Sequence, residues 1–183
     1  MIDFRLVRIG TVRSGRKEAC LYPEEKDLTI DKDLALEQYL EMEVSEVVVD
    51  PEYSDCLEGI EEYSHLMILF LTQFRDDAVR TIKKVHPGGL AEFPMKGIFA
   101  TRSPVRPNPL GVTIVELLER KGNVLVLKGL DAIDGTEILD IKPYITFLDT
   151  PEKPKDPQWI IDLFDYIEKE EKKFLSERGK KER

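Results

Sequence analysis

The chain has 183 residues, a length that suits one well-filled domain with an appended tail rather than two domains. Its apolar fraction is 42%, and no stretch approaches the roughly 20 uninterrupted apolar residues of a membrane helix, so we expect no membrane association. A formal net charge of −9, from 27 basic and 36 acidic side chains, argues against indiscriminate nucleic-acid binding but leaves room for a local basic patch.

The N-terminal segment predicts a cytoplasmic protein that begins with a strand. Asp3 and Arg5 stand where a signal peptide would carry its apolar run. Residues 4–13 alternate apolar and polar side chains and end at the turn-prone Ser14-Gly15, a pattern typical of a β-strand.

Residues 20–42 have a weaker pattern, which predicts either one helical turn or a loop insertion. The segment begins at Cys20, and the second cysteine is Cys56. Without a CxxC pair, neither a disulfide framework nor a zinc site is indicated, so we expect reduced thiols and no metal.

Short strands dominate the prediction from residue 44 to residue 141. The strands are predicted at residues 44–49, 66–71, 79–85, 97–100, 112–118, 124–130 and 138–141. Gly122 indicates a hairpin between the fifth and sixth of these, and Asp134-Gly135 indicates another between the last two. Many short strands separated by turns predict a mostly β fold, a small barrel or sandwich.

The pattern changes at Thr150, where three prolines predict a linker. Apolar residues then recur at near-helical spacing from Trp159 to Phe174, which predicts an amphipathic helix with a charged end that frays into solvent. We therefore expect a barrel domain at 1–148 and a linker with a C-terminal helix at 149–183.

A proline-rich loop at residues 100–111 is the most informative stretch. Its three prolines fix φ and remove backbone donors, so the loop is rigid. Arg106 and Asn108 each precede a proline and are expected to project to one side together with Arg102. Such a cluster suits an anionic or planar ligand. The alternative is a stiff surface turn whose arginines are solvated.

Carboxylates also cluster at residues 129–144, where Asp131, Asp134 and Asp140 are followed by Lys142. They suit the hydroxyl or amino groups of a cofactor, or the acceptance of a proton. The alternative is ordinary turn chemistry at Asp134 and a surface pair at Asp140, worth under about 1 kcal/mol. Asp131 lies in an apolar run and would need a partner if it were buried.

Four blocks of sequence together resemble the TrmO family of S-adenosylmethionine-dependent tRNA methyltransferases. The blocks are IGTVRS at 9–14, LEGIEEYSHL at 57–66, GIFATRSPVRPNPLG at 97–111 and LDAIDGTEILDIKPY at 130–144. The resemblance implies a small β-barrel that dimerises and binds S-adenosylmethionine outside the Rossmann architecture. It also implies methyl transfer to the exocyclic nitrogen of threonylcarbamoyl-adenosine beside the tRNA anticodon.

The resemblance also implies roles for individual residues. The implied cofactor pocket comprises Ser14, Gly15, Arg16, Ser64, His65, Arg102, Val105, Leu130, Asp131, Ala132 and Ile133. The implied substrate-binding residues are Arg102, Arg106, Asn108 and Lys142. Asp134, His65 and Asn108 are the catalytic candidates, the first two as proton acceptors. By itself, His65 beside an apolar strand is more typical of a structural histidine.

Two other functions fit the sequence. One is a non-catalytic S-adenosylmethionine-binding module that reports cofactor level to a partner through the C-terminal helix. The other is a methyltransferase for a small molecule, which the acidic composition favours. The usual nucleotide, zinc-protease and hydrolase motifs are absent from the sequence.

Overall fold

A computed structural model describes residues 5–24, 26–40 and 44–181 of the chain. The strands are β1 (Gly10–Arg13), β2 (Leu21–Glu24), β3 (Asp27–Ile30), β4 (Val44–Val49), β5 (His65–Leu71), β6 (Lys84–Val85), β7 (Lys96–Gly97), β8 (Leu110–Lys121), β9 (Val124–Lys128) and β10 (Glu137–Pro143). The helices are α1 (Lys32–Leu40), α2 (Asp77–Arg80), α3 (Thr146–Asp149) and α4 (Gln158–Lys181).

Within these ranges, six strands close into an antiparallel barrel in the order β1-β10-β5-β8-β9-β4. Two hairpins, β2–β3 and β6–β7, lie outside it. Register shifts in β8 and β10 mark bulges, which help a sheet to bend into a barrel. The predicted mostly β, barrel-like fold with a C-terminal helix is confirmed.

The barrel interior is filled by aliphatic side chains that alternate along each strand. Val47, Ile68, Leu125 and Ile138 are completely buried in this core. Burial of each such side chain stabilises the fold by about 1.5–3 kcal/mol. The period of two in β5 is therefore what turns its odd-numbered residues outward.

A second, smaller core lies beside the barrel. It contains Leu28, Phe74, Ile82, Val85, Ile98 and Val105. These residues join the β2–β3 hairpin, the segment after β5 and the proline-rich loop. The small core thus holds the proline-rich loop against one end of the barrel.

The hairpin predicted at Asp134-Gly135 is wrong. β9 pairs with β4 and β8, whereas β10 pairs with β1 and β5, so these two strands are not neighbours. The turn is real, with Gly135 in the left-handed region at φ 75°. Its amide donates to the carbonyl of Val12, 2.8 Å away, and so bonds the turn to β1.

Two other strand predictions are also wrong in part. Only Lys84–Val85 of the predicted strand at 79–85 is extended, because the Asp76 carboxylate accepts a hydrogen bond from the Ala78 amide and caps α2. Of the predicted strand at 97–100, only Gly97 is in a strand: Lys96–Gly97 forms β7, which pairs with β6. The chain then turns through a 3₁₀ helix at Ile98–Ala100.

The N-terminal third is more regular than predicted. Residues 20–42 form the β2–β3 hairpin and α1 rather than a single turn or an irregular insertion, although residues 25 and 41–43 lie outside the described residues. The first strand begins at Gly10, later than expected, and residue 4 lies outside the described residues as well.

Helix α4 packs against α1 and the loop before β7. Lys32 donates to the Tyr166 hydroxyl at 3.0 Å and pairs with Glu92 at 2.9 Å, and these contacts raise the pKa of Lys32. The rings of Phe93 and Tyr166 meet edge to face at 5.6 Å. The predicted amphipathic helix is thus present and continues to Lys181, whereas the fraying of its charged end stays a prediction. None of the helices in the described ranges has the length and apolar character needed to cross a membrane.

Candidate functional site

A cleft of about 470 Å³ opens at one end of the barrel. It lies where β5 ends and where β8 and β10 begin. Its lining includes Arg16, Cys20 and Gln38, residues 70–73, residues 101–104, Arg106, residues 110–113, residues 131–133 and Thr136. Clefts of this size, mostly apolar with a few polar groups, are typical of small-molecule sites.

Arg16 organises one wall of the cleft. Its side chain is only 14% exposed and donates to the carbonyl of Gln38 at 2.7 Å and to the Asp131 carboxylate at 3.2 Å. The sequence predicted that Asp131 would need a partner if it were buried. Arg16 is that partner, but the Asp131 side chain is 88% exposed. Arg16 therefore orients a carboxylate that still faces solvent and can accept hydrogen bonds from a ligand.

The proline-rich loop forms the opposite wall, and Arg106 stiffens it from within. One guanidinium nitrogen of Arg106 donates to the carbonyls of Ile98, Thr101 and Ser103 at 3.4, 2.9 and 3.3 Å. Thr72, just after β5, donates its hydroxyl to the Pro104 carbonyl at 3.0 Å. Much of the donor capacity of Arg106 is thus used within the loop.

Arg102 differs from Arg106 because it is exposed, lines the cleft and forms no ion pair within the described part of the chain. Asn108 is also exposed, but it lies outside the cleft lining. Arg102 and Arg106 therefore share the cleft lining without Asn108, and of the two arginines only Arg102 has its donors available to a ligand, because those of Arg106 are used within the loop.

Phe70 and Gly111 define the floor. Phe70 is buried in the barrel core and also lines the cleft. A Cβ at Gly111 would lie 2.4 Å from the Phe70 ring, which is closer than atoms approach. A glycine at this position is therefore what allows the ring to lie against β8.

Asp134 lies beside the cleft and holds the loop after β1. It accepts from the Ser14 amide at 3.0 Å and from the Lys17 ammonium at 2.8 Å. These two hydrogen bonds, that from Lys17 first, lower the pKa of the Asp134 carboxyl. Ser14 itself is buried, and Gly15 lines a smaller adjacent cavity of about 240 Å³.

Some predicted residues are placed elsewhere. Val105 and Leu130 are completely or almost completely buried, in the small core and in the barrel core respectively. Ser64 and His65 lie at the start of β5, about 20 Å along the strand from the cleft end, given about 3.3 Å per residue. The Ser64 hydroxyl and His65 Nδ1 are 3.0 Å apart.

Lys142 belongs to that distant group. It pairs in register with Met67 of β5 and forms an ion pair with Asp140 at 2.7 Å. One chain thus brings together Arg16, Arg102, Arg106 and residues 131–133, and it leaves Ser64, His65 and Lys142 at the other end of the barrel wall.

Sequence reasoning missed Cys20, Gln38 and residues 70–73 of the lining. The only signal was positional and concerned Thr72 and Gln73, which directly follow the buried strand β5 and therefore stand at a barrel end. Burial, followed by the charge of Asp131, raises the pKa of the Cys20 thiol. In the ranges 5–24, 26–40 and 44–181, no group of three or more His, Cys, Asp or Glu side chains is arranged to bind a metal ion.

Comparison with known proteins identifies relatives of this chain by sequence and by fold. A family model, the tRNA-methyltransferase O N-terminal domain, matches residues 22–150. A crystal structure of TrmO superimposes with a TM-score of 0.62 at 26% identity, covering 86% of this chain and 64% of that one. TrmO from Pseudomonas aeruginosa gives 0.60 at 27% identity, covering 86% and 63%.

Several curated relatives are similar over most of the chain. A probable S-adenosyl-L-methionine-binding protein of Archaeoglobus fulgidus is 38% identical over 151 residues, which are 82% of this chain and 36% of that protein. Another, from Methanothermobacter thermautotrophicus, is 36% identical over 149 residues, 81% of this chain and 96% of that protein. A tRNA (adenine(37)-N6)-methyltransferase of Escherichia coli is 35% identical over 156 residues, 82% of this chain and 61% of that enzyme.

This chain therefore spans about a third of the Archaeoglobus relative and three fifths of the Escherichia coli enzyme, but nearly all of the Methanothermobacter relative. The family model covers more than half of the chain, and the barrel agrees with the solved structures. The resemblance inferred from the four sequence blocks is thereby confirmed, and the chain belongs to the TrmO family.

Proposed function

We propose that the chain is an S-adenosylmethionine-dependent methyltransferase that acts on tRNA in the cytoplasm. Its acceptor would be the exocyclic nitrogen of the adenosine beside the anticodon, in its threonylcarbamoyl form. The observation that carries this proposal is the cleft, because three of the four family blocks contribute to its walls or to the loops that hold them. Relatives named as S-adenosylmethionine-binding proteins and as tRNA methyltransferases support the same assignment.

The cleft suits S-adenosylmethionine in size and in chemistry. A volume of about 470 Å³ accommodates a cofactor of this kind, and Phe70, Val112 and Ile133 offer apolar surface for an adenine ring. The exposed Asp131 carboxylate accepts from amino or hydroxyl groups, and Arg16 keeps it in place. Ser14 and Gly15 contribute by shaping the loop that carries Arg16.

When bound, S-adenosylmethionine supplies an electrophilic methyl group, whose transfer from sulfur is coupled to loss of a proton from the accepting nitrogen. The residues of this chain contribute chiefly by position. A rigid loop and an anchored carboxylate hold two ligands in line and exclude water, which can lower the barrier by several kcal/mol. Arg102 is free to pair with the threonyl carboxylate of the substrate, whereas Arg106 keeps the loop in shape.

We assign the role of proton acceptor to His65. The carboxyl of Asp134 already accepts two hydrogen bonds, and its lowered pKa makes it a weaker base, so we assign it to positioning. Asn108 has no basic nitrogen and is exposed, which suits contact with the substrate. His65 has an exposed ring and a basic ring nitrogen, with the Ser64 hydroxyl 3.0 Å from Nδ1.

His65 reaches the cleft only if it comes from a second subunit, so the proposal includes a homodimer. The outward residues of β5 and β8 form an apolar face, in which Leu110, Val112 and Ile114 are all more than two fifths exposed. A two-fold axis through this face places the His65 end of one protomer against the cleft end of its partner. Ser64 and Lys142 would then complete the site from the partner as well.

Transfer of labelled methyl from S-adenosylmethionine to purified tRNA tests the reaction. Two matched tRNA preparations are used, with and without the threonylcarbamoyl group on the anticodon-loop adenosine. Label in the modified tRNA alone is the expected result. Label in neither, with cofactor binding confirmed by calorimetry, would refute the tRNA reaction and favour the sensor or small-molecule function.

A mixing experiment tests the shared site. His65→Ala and Arg102→Ala are each expected to be inactive as pure homodimers. In a mixed dimer one of the two sites retains both residues. Random pairing makes about half of the dimers mixed, so co-refolded protein should recover about a quarter of wild-type turnover. Failure to recover activity, with dimers shown by light scattering, would contradict a site shared between subunits.

A further inference from the structure

Phe99 is an exposed aromatic residue beside the cleft that the proposed reaction does not use. Its side chain is 80% exposed, although a phenylalanine ring gains free energy by burial. It stands two residues before Thr101, which lines the cleft, so the two Cα atoms are at most about 7 Å apart. The ring is therefore placed at the edge of the site.

The backbone under Phe99 is held rigidly. The preceding residue, Ile98, donates its amide to the Lys83 carbonyl at 3.0 Å, and its side chain is buried in the small core. The Ile98 carbonyl accepts from the Thr101 amide at 3.2 Å and from the Thr101 hydroxyl at 2.9 Å. An exposed ring on a fixed backbone loses little entropy when it binds, which favours a recognition role over a chance exposure.

One side of the ring faces a cation. The guanidinium carbon of Arg106 lies 5.8 Å from the Phe99 ring centroid, within the range of cation–π contact. Arg106 is itself anchored by its carbonyl contacts, so the pair is a preformed unit. A ring that leaves most of its surface in solvent presents a π-face to a planar ligand.

The surroundings of Phe99 are strongly basic in a chain that is acidic overall. Residues 80–106 contain six Lys and Arg side chains and a single carboxylate, Glu92, which is paired with Lys32. Among the described residues, Lys83, Lys84, Lys96 and Arg102 make no ion pair. Lys84 pairs in register with Gly97, two residues before Phe99, and the Lys83 carbonyl accepts from the Ile98 amide. Positive charge next to an exposed aromatic ring is the combination by which proteins bind single-stranded nucleic acid.

We propose that Phe99 is a stacking platform for an unpaired nucleobase of the RNA substrate, next to the base that enters the cleft. This proposal rests on the proposed function, since it assumes that the acceptor is an anticodon-loop nucleotide. Lys83 and Lys84 hold the flanking phosphates, and the ring fixes the neighbouring base. Stacking of this kind tolerates any base, so it contributes affinity and position rather than sequence preference.

Tryptophan fluorescence tests the contact without requiring turnover. Trp159 is the only tryptophan, so a Trp159→Phe background leaves F99W as the sole indole reporter. A matched control places the reporter at Phe164, an exposed phenylalanine on α4 that is 59% exposed. An anticodon stem–loop RNA should quench the reporter in F99W, whereas the F164W reporter should change little.

Affinity provides the second readout. Phe99→Ala should weaken binding of the stem–loop by about 5- to 100-fold at fixed salt, Phe99→Tyr should restore most of it, and cofactor affinity should stay unchanged in both. Wild-type binding of RNA with no quenching at position 99, or with no loss in Phe99→Ala, would refute the stacking contact and leave the proposed reaction intact. Absence of RNA binding by the wild-type protein would refute both proposals.

Discussion

Replacement of Arg16 by Met should separate the structural contribution of this residue from its contribution to ligand binding. The guanidinium is largely buried and donates both to the Gln38 carbonyl and to Asp131. Loss of the first contact leaves a carbonyl of α1 without its donor. A hydrogen bond to a charged group contributes about 1.5–3 kcal/mol, and this is the part of the stability that Arg16→Met removes.

The ion pair with Asp131 should contribute much less to stability. Its carboxylate is 88% exposed, and solvent screening limits such pairs to under about 1 kcal/mol. Asp131→Ala should therefore lower Tm by less than about 2–4 °C, whereas the loss of about 1.5–3 kcal/mol in Arg16→Met should lower Tm by about 3–12 °C in a chain of this size. Both variants should lose cofactor affinity, because Asp131→Ala removes the carboxylate and Arg16→Met removes the guanidinium that orients it.

Calorimetry measures both quantities, with thermal scans for stability and titration with S-adenosylmethionine for affinity. The expected result is two variants with weakened binding, of which only one is clearly destabilised. An equal fall in Tm for Asp131→Ala would refute the argument from screening. An unchanged Tm for Arg16→Met would show that the contact with α1 contributes nothing.

Three further results are expected. Gly111→Ala should destabilise the protein by about 1–3 kcal/mol in urea unfolding and weaken cofactor binding, because the new methyl group displaces the Phe70 ring. Asp134→Asn should lower stability at neutral pH. The difference in stability between wild type and variant should disappear as pH falls through the lowered pKa of the Asp134 carboxyl, because protonation removes the same interactions in the wild type. Denaturation midpoints measured across pH test this. The thiol of Cys20, whose pKa burial raises, should react slowly with iodoacetamide at pH 7, and saturating cofactor should slow it further in a mass-spectrometric time course.

The barrel strands were predictable where local chemistry and tertiary contacts agree. Residues 44–49 and 66–71 were correctly predicted as strands, now β4 and β5. In both, every second side chain is buried in the barrel, and this burial requires the apolar residues that the sequence shows. The prediction was wrong at the turn of Gly135, because a turn signal shows where a strand ends and not which strand it joins. In this fold the strand after the turn joins β1 and β5, which is a non-local choice.

The cleft was predictable only in part. Arg102, Arg106 and Asp131 were recognised as candidates from the local patterns around them, but their different uses depend on contacts that no pattern shows. Arg106 serves the loop because three carbonyls converge on it, whereas Asp131 serves the cleft because Arg16 reaches it from the loop after β1. The roles of all the site residues, and the division of the chain at residue 148, stay predictions, although α4 packs on the rest of the protein through Tyr166.

The acidic composition is compatible with an RNA substrate because the charges are segregated. Residues 43–63 contain eight carboxylates and no Lys or Arg. Residues 44–49 of this segment form β4, which lies opposite β5 in the barrel. Residues 80–106 carry the opposite charge beside the cleft. A polyanion is therefore attracted to one side of the protein and repelled from another, so the net charge opposes unspecific binding while the local field orients the substrate towards Arg102.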